Sequence, residues 1–292
     1  MNSIVQEARR PFSSAASVIF AWVCAACTFA SLAILAVLLW QVVRWSWGWL
    51  DWQFITSFDS QLSPHKAGVR AALVGSLYLI LLTTIFTVPL GVGAAIYLEE
   101  YAGRSHWRSF VQTNIANLAG VPSIVYGILG LGLFVRGMRL GAGVLAGALT
   151  LTLVVLPIVI LASQEALRAV PSTIRQASYA LGATRWQTVW HQLLPAALPG
   201  ILTGVILALA RALGEAAPLV AIGAAGFVMF TPQGINDRFT ALPLQIYTWT
   251  ENAQQDFHHV AAAGIVVLLV VLVSLSAVAV YFRHKFSKRI HW

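Results

Sequence analysis

Glu165-Ala-Leu-Arg-Ala-Val-Pro-Ser-Thr-Ile-Arg-Gln-Ala-Ser-Tyr-Ala-Leu-Gly-Ala-Thr-Arg-Trp-Gln-Thr-Val-Trp-His-Gln-Leu-Leu-Pro-Ala-Ala197 lies between two long apolar runs, Leu140 to Gln164 and Leu198 to Ile222. It is not a simple tether. Glu165 to Pro171 closes one helix, and Pro171 or Ser172 stands in the first turn of a second, Ser172 to Leu181. Gly182 breaks that helix, as a glycine just past a helix end does. Thr184 then caps a third short helix, Arg185 to Leu194, expected to stop at Pro195. Ile174, Ala177, Leu181, Trp186, Val189, Trp190 and Leu193 form one apolar patch on the bent pair. Such a patch either docks a partner or packs on the chain's own helix ends.

Working outward, the flanking runs read as membrane helices. A span needs about 20 apolar residues at about 1.5 Å each. Uncharged runs at Pro11–Val43, Ala71–Leu98, Ser109–Val135, Leu140–Gln164 and Val260–Phe282 place helices near 18–42, 73–97, 114–135 and 142–164 and a last one at 260–282. The run Leu198–Ile222 adds a helix with two charges inside it, Arg211 and Glu215. The fold class is therefore an all-α membrane protein of six transmembrane helices, with both termini on one side. With those termini cytoplasmic, that side holds Arg9, Arg10, Arg104, Arg108, Arg168, Arg175, Arg185, Arg283, Lys285, Lys288 and Arg289, eleven in all. The outer segments hold six: Arg44, Lys66, Arg70, Arg136, Arg139 and Arg238. That bias favours cytoplasmic N- and C-termini and puts the 165–197 loop in the cytoplasm. Trp40, Trp45, Trp47, Trp49 and Trp52 suit an interfacial belt at the outer end of the first helix. Arg9, Arg10 and Phe12 faintly resemble a twin-arginine signal, but the apolar run behind them is too long for a removed signal, so an uncleaved helix is expected.

Composition excludes several functions. Hydrophobic residues make up 59% of the 292 and charged residues 10%, with a mean hydropathy of +0.78, which cannot cover a soluble surface. The net charge of +8 is scattered between apolar runs rather than gathered into a nucleic-acid-binding face. Cys24 and Cys27 sit in an uncharged run, so neither a disulfide framework nor a zinc site is implied. The three lysines, Lys66, Lys285 and Lys288, do not follow a glycine, so there is no Walker A loop and no ATP site of that kind. No HExxH, GxSxG or Cys/His cluster occurs, and His258 and His259, adjacent on a helix, point to different faces. No metal, no catalytic set and no resident cofactor are expected.

Arg211 lies 13 residues after Leu198, about 20 Å into a helix of about 36 Å, near mid-membrane. An arginine there costs about 2.5–3.5 kcal/mol on insertion scales and normally faces a polar path or a partner. Glu215 follows at i+4. The pair either stabilises packing alone or positions a planar guanidinium for an oxyanion. Pro218 removes a hydrogen bond to the Gly214 carbonyl and is expected to bend this helix. Gly200/Gly204 and Gly143/Gly147 have the spacing of close helix packing. Gly120, Pro122, Ser123 and Gly127 mark a kinked or broken third helix, with Ser123 or Tyr126 as candidate lining residues. The outer loop 223–259 is long, and Thr240–Thr250 reads as an interfacial anchor, a re-entrant helix or a docking surface for a binding protein.

The run Gln176-Ala-Ser-Tyr-Ala-Leu-Gly182, nine residues, then Gln192-Leu-Leu-Pro195 resembles the EAA loop of ABC importer permeases. That loop reads Glu-Ala-Ala, three residues, Gly, nine residues, Ile, any residue, Leu-Pro. The spacing agrees throughout, with Gln176 for Glu, Ser178 for Ala and Gln192 for Ile as departures. Leu98-Glu-Glu-Tyr-Ala102, Gly120-Val-Pro-Ser-Ile-Val-Tyr-Gly127, Ala210-Arg-Ala-Leu-Gly-Glu-Ala-Ala-Pro218 and Ala241-Leu-Pro-Leu-Gln-Ile-Tyr247 narrow the resemblance to the phosphate permease subunits, the PstA family. The resemblance implies a type I importer permease fold in the bacterial cytoplasmic (inner) membrane, half of a translocation path. It implies Gln176, Ala177, Gly182, Leu194 and Pro195 as the contact with a separate ATPase dimer, which would bind the ATP. It also implies a PstC-like partner permease, an extracytoplasmic phosphate-binding protein and surrounding lipid. Arg211 and Glu215 are the substrate-path candidates. The chain divides into 1–70 (tail, first helix and outer loop), a five-helix core 71–282 with coupling loop 165–197 and outer loop 223–259, and a basic tail 283–292. Sulfate or molybdate as the oxyanion, and an ion-coupled secondary carrier, are the competing readings; a carrier would show more intramembrane ionisable groups and repeat symmetry.

Overall fold

The computed structural model describes residues 14–103 and 105–287. Arg9, Arg10, Arg104, Lys288 and Arg289, which entered the basic count, lie outside the described residues. The described chain is helical. Its one β pairing is an isolated bridge between Gly143 and Arg238. In order the helices are α1 (Ser14–Ser46), α2 (Trp52–Thr56), α3 (Arg70–Ile96), α4 (His106–Ala119), α5 (Ser123–Gly130), α6 (Val144–Arg168), α7 (Ser172–Ala180), α8 (Arg185–Thr188), α9 (Leu194–Gly214), α10 (Ala217–Ala221), α11 (Leu242–Thr250) and α12 (Asp256–Ser287). Wider π turns extend α3 through Tyr97–Tyr101, extend α5 through Leu131–Gly137, and join α8 to α9 through Val189–Leu193.

Among the described residues five helices are long and apolar enough to cross a membrane: α1, α3, α6, the continuous α8–α9 rod and α12. A sixth candidate is the pair α4 and α5, and here the expected single helix near 114–135 is corrected. The two halves meet at 102° across Gly120-Val-Pro122. Pro122 cannot donate into the helical ladder and Gly120 resists it little, so the helix breaks rather than kinks. Tyr126 is buried, and its hydroxyl donates to the Leu118 carbonyl at 2.7 Å across the break. The Leu118 carbonyl also accepts from the Val121 N–H at 3.1 Å, and the added side-chain bond lets Tyr126 brace the bend.

The bundle centre is α3, α6 and α9, joined by a core that includes Val155, Val159, Ile201, Val205 and Ala208. In lipid, helices associate through close packing rather than hydrophobic driving force, so small residues mark the contacts. A Cβ on Gly204 would sit 2.3 Å from the Ala162 Cβ, one on Gly200 2.8 Å from the Ala166 Cβ, and one on Gly91 2.7 Å from a Val159 methyl. Gly147 touches the Phe239 ring. Both Gly-xxx-Gly pairs are thus packing devices. By contrast α1 packs along α12, and its apolar side chains, Phe20, Trp22 and Phe29 among them, are exposed. At its end Trp47 and Trp52 are also exposed, while Trp49 stacks between His65 and His259.

Candidate substrate path and coupling surface

α9 ends sooner than its apolar sequence suggests. Helical geometry stops at Gly214, and Glu215 is extended, with φ −83° and ψ 111°. The chain then turns into α10, with Pro218 in its first turn. Instead of bending a helix that continues to Ile222, this segment interrupts it. Gly214 is a weak helix former, and Pro218 can neither donate nor tolerate a carbonyl stacked behind it. Arg211 therefore sits in the last turn of α9, where its charge complements the negative end of the helix dipole. The neighbouring Ala212 and Leu213 line a small gap with Ser76, Leu79 and Ile80 of α3 and with Leu151 of α6. Counted along α3 from Arg70, that level is about 9–15 Å inside the helix end.

The pair forms as its spacing implies, but not on one helical face. Arg211 Nε donates to Glu215 Oε1 at 3.2 Å, and the two side chains are 49% and 18% exposed. Among the described residues no acceptor meets the Arg211 Nη1 and Nη2 groups. The glutamate holds one edge of the guanidinium and leaves the two-pronged edge open, the edge that suits a planar or tetrahedral oxyanion. A groove of about 680 Å³ between α3, α9 and α12 is almost wholly apolar, and Arg211 does not line it.

The coupling loop is the second part. Pro171 precedes α7, which ends at Leu181. Gly182 follows at φ +81°, the left-handed region, with open space where its Cβ would be. A capping box then starts α8: the Gln187 N–H donates to Thr184 Oγ1 at 3.3 Å, and the Thr184 N–H to Gln187 Oε1 at 2.8 Å. Ser178 and Thr188 share a hydroxyl hydrogen bond of 2.8 Å across the bend. The expected stop at Pro195 does not occur, since α8, the π turn and α9 run on as one 30-residue rod, Arg185–Gly214. The widened turn at Val189–Leu193 shifts the hydrogen-bond register, so the missing proline N–H and the clash it normally makes with the preceding turn are both absorbed.

The loop's apolar patch is divided between core and solvent. Val189 and Leu193 are buried in the core, whereas Leu181 is 89% exposed and Trp186 and Trp190 stack on each other, centroids 5.5 Å apart, half in solvent. Gln176, Ala177, Gly182 and Pro195 are exposed with them, and Leu194 is half-buried.

The charges that sequence reading left unassigned gather beside this loop. Glu99 and Glu100, in the π turn after α3, are only 9% and 7% exposed. Glu99 accepts from Arg108 Nη2 at 2.9 Å, from Arg168 Nη2 at 2.7 Å and Nε at 3.0 Å, and from Gln164 Nε2 at 3.1 Å. Glu100 accepts from Arg175 of α7 at 2.9 and 3.0 Å, and Arg175 also donates to the Leu167 and Val170 carbonyls at the end of α6.

At the opposite end, α11 corrects the reading of Thr240–Thr250 as a surface anchor. Leu242, Leu244, Ile246 and Trp249 are buried, and the Leu242 N–H donates to Ser76 Oγ at 2.8 Å. Buried Asp59, from the loop before α3, accepts from Gln245 Nε2 at 2.5 Å and Trp249 Nε1 at 2.9 Å. Burial pushes the Asp59 carboxyl up, and the Trp249, Gln245 and Ser60 donors oppose that only in part. The folded chain thus holds this proton more tightly than the unfolded one. Stability from Asp59 is highest at low pH and declines as pH rises from the ordinary aspartate range through the raised folded value. Asp59→Asn turns an amide NH₂ toward one of the two donors and leaves it unpaired, at about 1–3 kcal/mol. The expected result is a lower Tm in detergent, together with loss of this pH slope above the ordinary aspartate range.

A family model for the binding-protein-dependent transport system inner membrane component matches residues 87–290. The probable ABC transporter permease protein YqgI of Bacillus subtilis (strain 168) is 33% identical over 233 residues, 76% of this chain and 79% of the relative. The phosphate transport system permease protein PstA 1 of Mycobacterium tuberculosis (strain ATCC 25618 / H37Rv) is 34% identical over 261 residues, 86% of this chain and 83% of the relative. Among solved structures, a chain of a bacterial ABC transporter involved in the import of alginate superposes with a TM-score of 0.64 at 16% identity, covering 92% of this chain and 97% of the other. A chain of the inward-facing MetNI methionine ABC transporter gives 0.60 at 19%, covering 75% and 95%. The fold is that of a type I ABC importer permease, a multi-pass subunit of the inner membrane. The chain belongs to the binding-protein-dependent transport system inner membrane component family. It is thus a transport subunit that works with an ATPase and a substrate-binding protein.

Proposed function

We propose that this chain is the permease subunit of a phosphate importer and forms half of the translocation path. The observation that carries the reading is the guanidinium of Arg211, held along one edge by Glu215 at an interrupted helix end with its two-pronged edge free. The similarity to PstA 1 over most of both chains supports phosphate as the oxyanion. ATP is bound by a separate subunit dimer, and this chain carries no cofactor. Gln176, Ala177, Gly182, Leu194 and Pro195 belong to the surface that meets that dimer, with Trp186, Trp190 and Leu181 as its exposed apolar part. A PstC-like permease completes the path, and an extracytoplasmic protein delivers phosphate. The division into 1–70, the core 71–282 and the tail 283–292 is part of the same reading.

The test is ATP hydrolysis by the assembled complex in proteoliposomes with its binding protein. Phosphate is expected to stimulate hydrolysis and to accumulate; stimulation by sulfate or molybdate instead would assign another oxyanion. Orientation is checked separately. A reporter fused after Gln192 is expected in the cytoplasm and one near Gln254 outside, and the reverse pattern would remove the docking surface from the ATPase side.

A further inference from the structure

We propose that Glu99 and Glu100 are positioning residues that fasten the coupling helix α7 to the ends of α3 and α6, so that the three move as one body. The proposal rests on the reading of the 165–197 loop as the ATPase contact. Three features of the geometry carry it. The first is burial. Two carboxylates at 9% and 7% exposure are costly unless paired; Glu99 meets Arg108, Arg168 and Gln164, and Glu100 meets the Arg175 guanidinium. The second is what the pairs join. α7 has no buried residue, so ordinary packing holds it weakly. The Ser178–Thr188 hydroxyl bond ties α7 to α8, and Arg175 ties it to α3 and α6, joining Glu100 of the α3 extension to the Leu167 and Val170 carbonyls at the end of α6. The third is continuity. Glu99 binds Arg168 and Gln164 of α6 together with Arg108 of α4, so the same pair of adjacent carboxylates gathers four helices. A displacement applied to α7 therefore reaches α3 and α6 through directional, charge-assisted bonds, in addition to the α8–α9 rod.

The experiment compares the intact complex carrying Glu100→Gln with wild type in proteoliposomes, reading both ATP hydrolysed and radiolabelled phosphate accumulated. Glu100→Gln keeps shape and one acceptor but removes the charge that orders Arg175. The expected result is an assembled complex that still hydrolyses ATP but moves about fivefold or more fewer phosphates per ATP, the size of a typical coupling term. A purely structural role would lower yield or Tm and leave the phosphate-to-ATP ratio of the surviving complex unchanged; that result overturns the proposal. Glu100→Asp, which keeps the charge, is expected to restore most of the ratio. If the Gln variant does not assemble, Arg175→Lys decides: its single ammonium cannot reach Glu100 and both carbonyls at once, so a reduced ratio supports the positioning role and a wild-type ratio overturns it. Gly182→Leu in parallel separates this proposal from the reading beneath it. If Gly182→Leu leaves transport intact, the loop is not the coupling element. If Gly182→Leu uncouples and Glu100→Gln does not, the loop assignment stands and the carboxylate proposal alone fails.

Discussion

A folded complex carrying Arg211→Gln and Glu215→Gln together is expected to accumulate almost no phosphate. If the two residues merely neutralised each other, the double variant would remove both charges and keep near-normal transport, while either single change would strand a charge in a poorly hydrated region and do more harm. The observed geometry argues the other way. Glu215 engages only Nε, at 3.2 Å, and an arginine that is 49% exposed has no need of a partner for burial alone. The remaining N–H groups are free for an anion, and a hydrogen bond to a charged group is worth about 1.5–3 kcal/mol, so uptake falls roughly ten- to hundredfold. Arg211→Lys is expected to be poor as well, because a point charge cannot reproduce the fork. Glu215→Gln should fold and keep part of the activity, since Arg211 remains but is less well held. Assembly with the ATPase is measured for every variant. Near-normal uptake by the assembled double variant would leave a structural ion pair as the better account.

The second large effect is expected at the loop. Gly182→Leu forces an L side chain to φ +81°, at about 1–2 kcal/mol, although its Cβ meets nothing within 4 Å. Backbone conformation, not space, is the obstacle. The bend between α7 and α8 should relax, and the surface of Leu181, Trp186 and Trp190 should lose its shape. ATP-driven uptake is expected to fall roughly five- to thirtyfold while the chain still inserts. Gly182→Asn provides the control, because asparagine visits the left-handed region more readily and should retain most of the uptake. Equal uptake by all three proteins would show that the bend plays no part in coupling.

The spans were legible because a bilayer demands long uncharged runs, and α1, α3, α6 and α12 each begin and end within about five residues of the expected bounds. The loop was legible for a different reason: Pro171, Gly182 and Thr184 act locally, through their own backbones and caps. Where a local signal competed with its surroundings, sequence reading erred. Pro195 would end an isolated helix, but the π turn before it absorbs the defect. The apolar run through Ile222 suggests one helix, but the break at Glu215 sits inside it. Contacts between distant residues were not readable at all. Asp59 meets Trp249 across 190 positions and Glu99 meets Arg168 across 69. Nothing in Leu98-Glu-Glu-Tyr-Ala102 says which arginines its carboxylates will find. Those pairings depend on the packing of α3 against α6, which only the assembled bundle defines.

The unbroken rod from Arg185 to Gly214 has a mechanical consequence. Its first turn lies in the loop surface beside Trp186, and its last turn holds Arg211. The 26 steps between Arg185 and Arg211 span about 39 Å at 1.5 Å each, so a tilt of only about 10° about one end displaces the other by about 7 Å. That distance is more than twice a hydrogen bond. On the proposed function the rod is a lever, with the nucleotide-driven push at one arm and the anion at the other. A small rotation can make or abolish the Arg211 site without refolding any residue near it, and the stiffness of α9 becomes as important to transport as the charge it carries.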